Sequence, residues 1–298
     1  MKKTLFLFAL LGLLFAGAEG AMAVHYGIGG EGPKAATMPG QGFHYKMYNT
    51  VYTAKVLKDK NGKKAPGKFH ADVFNQSHRF IYVSDIDILG GKLSMDVSIP
   101  LVYNNMSYHG VGPYSYDDNR FGVGDTNLEP FIISWHGPQY DAVAGLAIMV
   151  PTGDYQKNNG ASTGAGYWSF LPSAGITYYF DKERKWSGSI LARYETSTHQ
   201  QNSSFRAGDF ILAEYGFGRN FLGKYDVSIS GYNSAQVTDS KGQGAANSHY
   251  EYKNAIGPEL GMYVESIQSY ITAKVLFDYE NRNTTQGTTF MFTLFKSF

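Results

Sequence analysis

Along most of this chain apolar and polar residues alternate with a period of two, and that period constrains what it can fold into more than any other feature. Leu93, Met95, Val97, Ile99 and Leu101 share one face, and Ser94, Asp96 and Ser98 take the other. Trp186, Gly188, Ile190, Ala192 and Tyr194 oppose Ser187, Ser189, Arg193 and Glu195, with Leu191 out of place. Ile271, Ala273, Val275, Phe277 and Tyr279 oppose Thr272, Lys274, Asp278 and Glu280, with Leu276 the misfit. A strand sends successive side chains to opposite faces, so each segment has one apolar wall and one polar wall. A lipid-facing barrel around a polar lumen uses such strands, and so does a soluble sandwich with one wet face.

The connections separate these two architectures. The pattern predicts about twelve strands, near 43–57, 71–89, 92–106, 122–135, 140–151, 166–180, 186–198, 206–219, 224–237, 250–264, 268–281 and 287–298. Long connectors rich in Gly, Asn, Ser and Lys, such as Lys58–His70, Ser107–Phe121, Thr152–Ala165 and Thr238–His249, alternate with short ones such as Gly90-Gly91, His136–Gln139, Asp181–Lys185 and Asn220–Gly223. Long loops at one end and tight turns at the other belong to a membrane barrel, and a sandwich gives no reason for the parity. The fold class read from the sequence is therefore all-β: a transmembrane antiparallel barrel, with both termini at the short-turn, periplasmic end.

The N-terminus carries an export signal. Lys2 and Lys3 precede an apolar stretch from Leu5 to Ala16, and Ala21-Met22-Ala23 is a small-x-small cleavage site. The apolar stretch is shorter than a spanning helix needs. The expected division is a signal peptide at 1–23, an N-terminal periplasmic segment at 24–42 and the barrel at 43–298. The Gly-rich segment has two open placements, as a partial plug in the lumen or as free coil. The expected location is the cell outer membrane, and the expected state is a monomer among membrane lipids.

Composition removes several other functions. The chain has no Cys, which excludes disulfides and thiolate chemistry, and its formal net charge of +1 offers nucleic acid no basic surface. The eight His are scattered with no His-x-x-x-His spacing, so no metal, cofactor or catalytic residue is assigned. Gly27–Gly32 lacks the strand, helix and Gly-Lys-Ser/Thr ending of a phosphate loop and reads as coil.

The C-terminal segment, with Phe290, Phe292, Leu294 and the final Phe298 on one face and Lys296 as the exception, resembles the last strand of bacterial outer-membrane barrels, which the barrel assembly machinery reads. Val123-Gly124-Asp125-Thr126-Asn127-Leu128-Glu129-Pro130 followed by Trp135, then Val150-Pro151-Thr152-Gly153-Asp154-Tyr155, then Gly166-Tyr167-Trp168-Ser169-Phe170-Leu171-Pro172, resemble in order and spacing the landmarks of the outer-membrane proteins linked to the meta-pathway of phenol degradation. His25-Tyr26 and Pro39–Phe43 resemble the start of its mature chain. The resemblance implies uptake of aromatic or other hydrophobic compounds. A structural or ligand-sensing barrel with a closed lumen and a general diffusion porin are the alternatives. Outer-membrane phospholipases are also twelve-stranded barrels, but their His-x-Ser motif is missing, so no enzymatic activity is expected.

Three groups of residues follow from the pattern. Asp96, Arg193, Glu195, Glu259, Lys274, Asp278 and Glu280 fall on inward faces, either as a solvated, ion-paired interior or as a selectivity constriction. Gly124, Asp125, Thr126, Gly153 and Asp154 meet at one rim, where the two carboxylates are placed to accept loop N–H groups or to meet a cation or substrate. Pro100, Pro130, Pro172 and Pro258 fall inside strands, although Pro donates nothing to a ladder. Pro100 or Pro130 is expected to mark a kink that opens the wall sideways, with a simple bulge near the rim as the plainer account.

Overall fold

The computed structural model describes residues 24–110, 115–156, 160–242, 245 and 250–298; the expected signal peptide lies outside them. Thirteen strand segments follow the period-two pattern: β1 Gly42–Leu57, β2 Lys68–Ile88, β3 Gly91–His109, β4 Ser115–Val123, β5 Thr126–His136, β6 Tyr140–Val150, β7 Ser169–Tyr179, β8 Trp186–Ser197, β9 Phe210–Phe221, β10 Tyr225–Gln236, β11 Tyr252–Val264, β12 Ser269–Arg282 and β13 Thr285–Ser297. Each pairs antiparallel with its neighbours, and β1 with β13 and β2 with β3 close the sheet. Among the described residues no helix is long and apolar enough to cross a membrane.

Thirteen segments occupy twelve positions in the wall. The long-loop half of β3 pairs with β4 (Leu101 opposite Val123), and its short-turn half pairs with β5 (Ser98 opposite Asn127). β4 and β5 are thus one strand interrupted at Gly124-Asp125. The connector expected over Ser107–Phe121 is shorter than that, because Ser115–Phe121 continues the ladder. Its outward residues Ser115, Asp117 and Asn119 are polar, which hides a strand that rises above the apolar belt.

The barrel is apolar outside. Phe131, Ile176, Ile190, Ile229, Leu260, Phe277 and Phe290 are each more than 40% exposed, as lipid-facing side chains are. Tyr178, Phe180, Trp186 and Phe217 form an aromatic cluster near the short turns, with ring centroids 5.2 to 5.7 Å apart along the chain of contacts. Such rings mark a membrane interface. Tyr179 belongs to the lumen instead, where its hydroxyl donates to Asp141. The belt has a polar break at mid-height on β1 and β2: Gln76 donates to Asn49 at 2.8 Å, and the Tyr45 hydroxyl lies 2.6 Å from His78 Nδ1.

Candidate functional site: a lumen filled from the N-terminus

Residues 24–41 run through the lumen before β1 begins, held by inward side chains from most of the wall. Toward the long-loop end, the Glu195 carboxylate accepts the backbone N–H groups of His25 (2.9 Å) and Tyr26 (3.3 Å). The His25 ring bridges Asp125 Oδ2 (2.7 Å) and Ser169 Oγ (3.0 Å). At mid-height, Glu214 Oε1 accepts the N–H of Gly29 and of Glu31, while its other oxygen accepts from Arg193 at 2.5 Å. Lys274 donates to the carbonyls of Gly29 and Glu31 and pairs with Glu259 at 3.1 Å. Near the short turns, Ser189 donates to Gly32 O, Thr177 accepts from Ala36 N, and Lys34 reaches Asp226.

The segment's own acid completes the latch. Glu31 lies 3.2 Å from Lys46 Nζ, 3.1 Å from Arg79 Nη1 and 3.2 Å from the Tyr48 hydroxyl. Burial opposes its ionisation, but the adjoining Lys46 and Arg79 cations win and hold the carboxyl well below the usual range. Arg79 also pairs with Asp96 at 2.6 Å and approaches Glu129 at 3.7 Å. Two glycines make the fit possible. Gly29 takes φ of +103°, and a Cβ on Gly216 in β9 would lie 2.5 Å from Pro33 N.

The inward apolar misfits have partners here. Leu191 packs with Ala36, Ile132 and Val143, and Leu276 packs with Tyr232, Ala255 and Ile28. A larger cluster of Ala147, Met149, Leu171, Phe210 and Leu212 receives Val24, Tyr26 and Ile28. The lumen therefore has an apolar core assembled between wall and segment.

Of the seven expected lumen residues, the structure brings Asp96, Arg193, Glu195, Glu259 and Lys274 onto the segment or its latch. Asp278 faces inward higher up, accepting from Tyr52, Tyr232 and Gly287 N. Glu280 is a correction: it is exposed, with φ of +49°. The ladder shifts between Tyr252 and Asn254, opposite this point of β12, so the alternation slips by one and Asn281 points inward. Lys46, Arg79, Glu129, Glu214 and Asp226 also carry the site. Arg79, Glu214 and Asp226 lie on the polar faces of alternating segments, so the signal that selects Arg193 selects them too.

The rim residues also meet. Asp125 accepts the N–H of Gly153 (2.8 Å) and of Ala165 (2.6 Å), besides its bond to His25. Thr126 N donates to Thr152 Oγ1, and Gly124 N to Pro100 O. Among the described residues the Asp154 side chain pairs with Arg120 and with no loop N–H group, while its carbonyl accepts from Thr163 and Gly164.

Each of the four strand prolines coincides with an interruption in a ladder. Pro100 stands where β3 changes partner from β4 to β5. Pro130 sits in a bulge between Leu128 and Phe131; pairing skips from Phe170 to Ser173 around Pro172, and from Ile256 to Glu259 around Pro258. The β6–β7 ladder, with Leu146 opposite Pro172, is unbroken; the interruptions at Pro130 and Pro172 lie on its two outer sides, toward β5 and toward β8. Behind that stretch a cavity of about 320 Å³ lies between segment and wall, lined by Glu129, Ile132, Val143 and Ser173 as well as Arg79 and Arg193.

The comparisons agree with this architecture. The structure is similar to an outer membrane channel of Pseudomonas putida F1 with a TM-score of 0.75 at 12% identity, covering 90% of this chain and 99% of that one. It is more loosely similar to a Pseudomonas aeruginosa FadL homologue, with a TM-score of 0.43 at 6% identity over 90% of this chain and 93% of that one. The beta domain of a Bordetella autotransporter gives 0.47 at 11% identity over 87% and 100%. A search of curated proteins finds no match. The family model described as Putative MetA-pathway of phenol degradation matches residues 54–294. The chain is a closed outer-membrane-type barrel and belongs to that family.

Proposed function

We propose that this protein admits small hydrophobic or aromatic compounds passively across the outer membrane, and that they leave the lumen sideways into the bilayer. The observation that carries the reading is the cavity beside Pro130 and Pro172. The N-terminal segment occupies the axial path, while the cavity reaches Glu129 and Ser173, the chain neighbours of those two prolines. A cavity of this size suits a small ligand. Its lining combines apolar Ile132, Val143 and Leu191 with charged residues such as Lys34, Arg79, Arg193 and Asp226 that are already paired, which leaves an uncharged ligand the better match. The family's association with phenol degradation supplies the substrate class. The filled lumen counts against a general diffusion pore, and no cation or anion preference follows from charges that are already paired.

Replacing Pro130 and Pro172 together with Val restores two ladder donors. Entry of a small aromatic hydrocarbon into cells lacking their major porins should then fall toward the rate without the protein. Undiminished entry would remove the sideways route.

A further inference from the structure

The β1–β2 hairpin concentrates positive charge as no other part of the chain does. Lys55, Lys58, Lys60, Lys63, Lys64 and Lys68 fall within 55–68, in a chain whose net charge is +1. All but Lys58 are exposed, and Lys58 is half-buried. Among the described residues none of the six forms an ion pair, whereas Lys34, Lys46, Lys92, Lys224, Lys253 and Lys274 all do. Lys58 and Lys64 face each other across a β-bridge, an arrangement that like charges oppose.

The hairpin is a built platform. Asp59 spends its carboxylate on the N–H groups of Asn61 and Lys63. Lys58 N donates to Thr284 O and Asn283 N to Asp59 O, which ties the loop to the β12–β13 turn. That contact brings Arg282 alongside, 3.6 Å from where a Gly62 Cβ would stand. Nearby acids are fewer: Asp72 pairs with His70, and Glu280 is exposed on β12.

Height decides what the charge is for. On the outward face of β1, Val51 is followed by Thr53 and then Lys55; on β2, Phe74 is followed by Asp72, His70 and Lys68. At about 3.3 Å per residue on a strand tilted about 40°, Lys55 stands about 10 Å above Val51. Lys55 and Lys68 thus stand at the upper edge of the apolar belt on this side of the barrel, where lipid headgroups lie, and Lys58, Lys60, Lys63 and Lys64 follow in the loop above them.

We propose that this hairpin binds a phosphorylated, multiply acylated glycolipid of the outer leaflet. Its lysines and Arg282 contact the headgroup phosphates, and Val51, Phe74 and Phe290 meet the acyl chains. The geometry carries this choice: a free anion uses only the charge, whereas the lipid uses the charge and the belt below it. The inference rests on the outer-membrane location and not on the uptake reading, and its test involves no transport.

The test measures binding of bisphosphorylated lipid A, dephosphorylated lipid A and inorganic phosphate to the purified full barrel by native mass spectrometry. Wild type is compared with a variant carrying Lys58→Gln, Lys60→Gln, Lys63→Gln and Lys64→Gln, with heat-modified mobility showing that the variant barrel is folded. Bisphosphorylated lipid A should bind wild type about tenfold or more tightly than the variant. It should also outcompete dephosphorylated lipid A and survive an equal concentration of inorganic phosphate. Equal binding by the variant, equal binding of the dephosphorylated lipid, or displacement by inorganic phosphate would each overturn the proposal.

Discussion

Glu31 of the lumen segment lies 3.1 Å from Arg79 of β2, and Lys46 of β1 completes the contact at 3.2 Å. One acid from the N-terminus thus sits between two cations of the wall, and the wall sites it uses are 15 and 48 residues away in sequence. Glu31→Gln keeps the shape and removes the charge. If the latch contributes about 1.4 kcal/mol, the segment should leave its seat about tenfold more often. Bilayer conductance should show that as more frequent open events; an unchanged record would mean that the latch does not hold the segment.

The same contact sets a pH dependence. A carboxyl whose docked pKa is depressed contributes fully above its free value and loses that contribution as pH falls toward the docked value. Wild-type conductance should therefore stay flat from about pH 8 to about pH 5 and rise only below about pH 4. Glu31→Gln should lose that acid rise. A rise centred near pH 6.5 would point to a histidine instead.

Gly216→Leu tests the seat without touching charge. A Cβ at Gly216 already meets Pro33 N at 2.5 Å, and no flexible side chain stands there to give way. The segment should be pushed off the wall, raising conductance and exposing the bond after Lys34 to trypsin. Full protection of Lys34 in a folded variant would contradict the placement.

Asn49 and Gln76 bond to each other on the lipid-facing side at mid-height. Replacing both with Leu removes two carboxamides from hydrocarbon at the cost of one hydrogen bond. Stability should rise by about 1 kcal/mol, read as a higher unfolding midpoint in urea with lipid vesicles. A fall would show that the pair supports the β1–β2 ladder.

The wall was legible because lipid enforces the period. Phe290, Phe292 and Leu294 alternate with Met291 and Thr293 since one face must be apolar along its whole span. The same rule put Arg193 and Lys274 inside, and failed where the ladder slips, as at Glu280. The Ser115–Phe121 part of β4 reads as loop because Asp117 and Asn119 face outward above the belt, where nothing requires an apolar residue. The lumen was harder to read. Leu191 and Leu276 look like errors in an empty, wet barrel and make sense only with Ala36 and Ile28 beside them. The partners of Glu31 converge from two strands, and the Gly-rich segment has no periodicity of its own.

The central claim is selective passage of hydrophobic solutes past a filled lumen. Its most direct measurement is solute entry into cells lacking their major porins, with and without this protein, comparing a small aromatic hydrocarbon with a sugar of similar size. The account predicts faster entry of the hydrocarbon and no change for the sugar. Equal acceleration of both, or of neither, would contradict it.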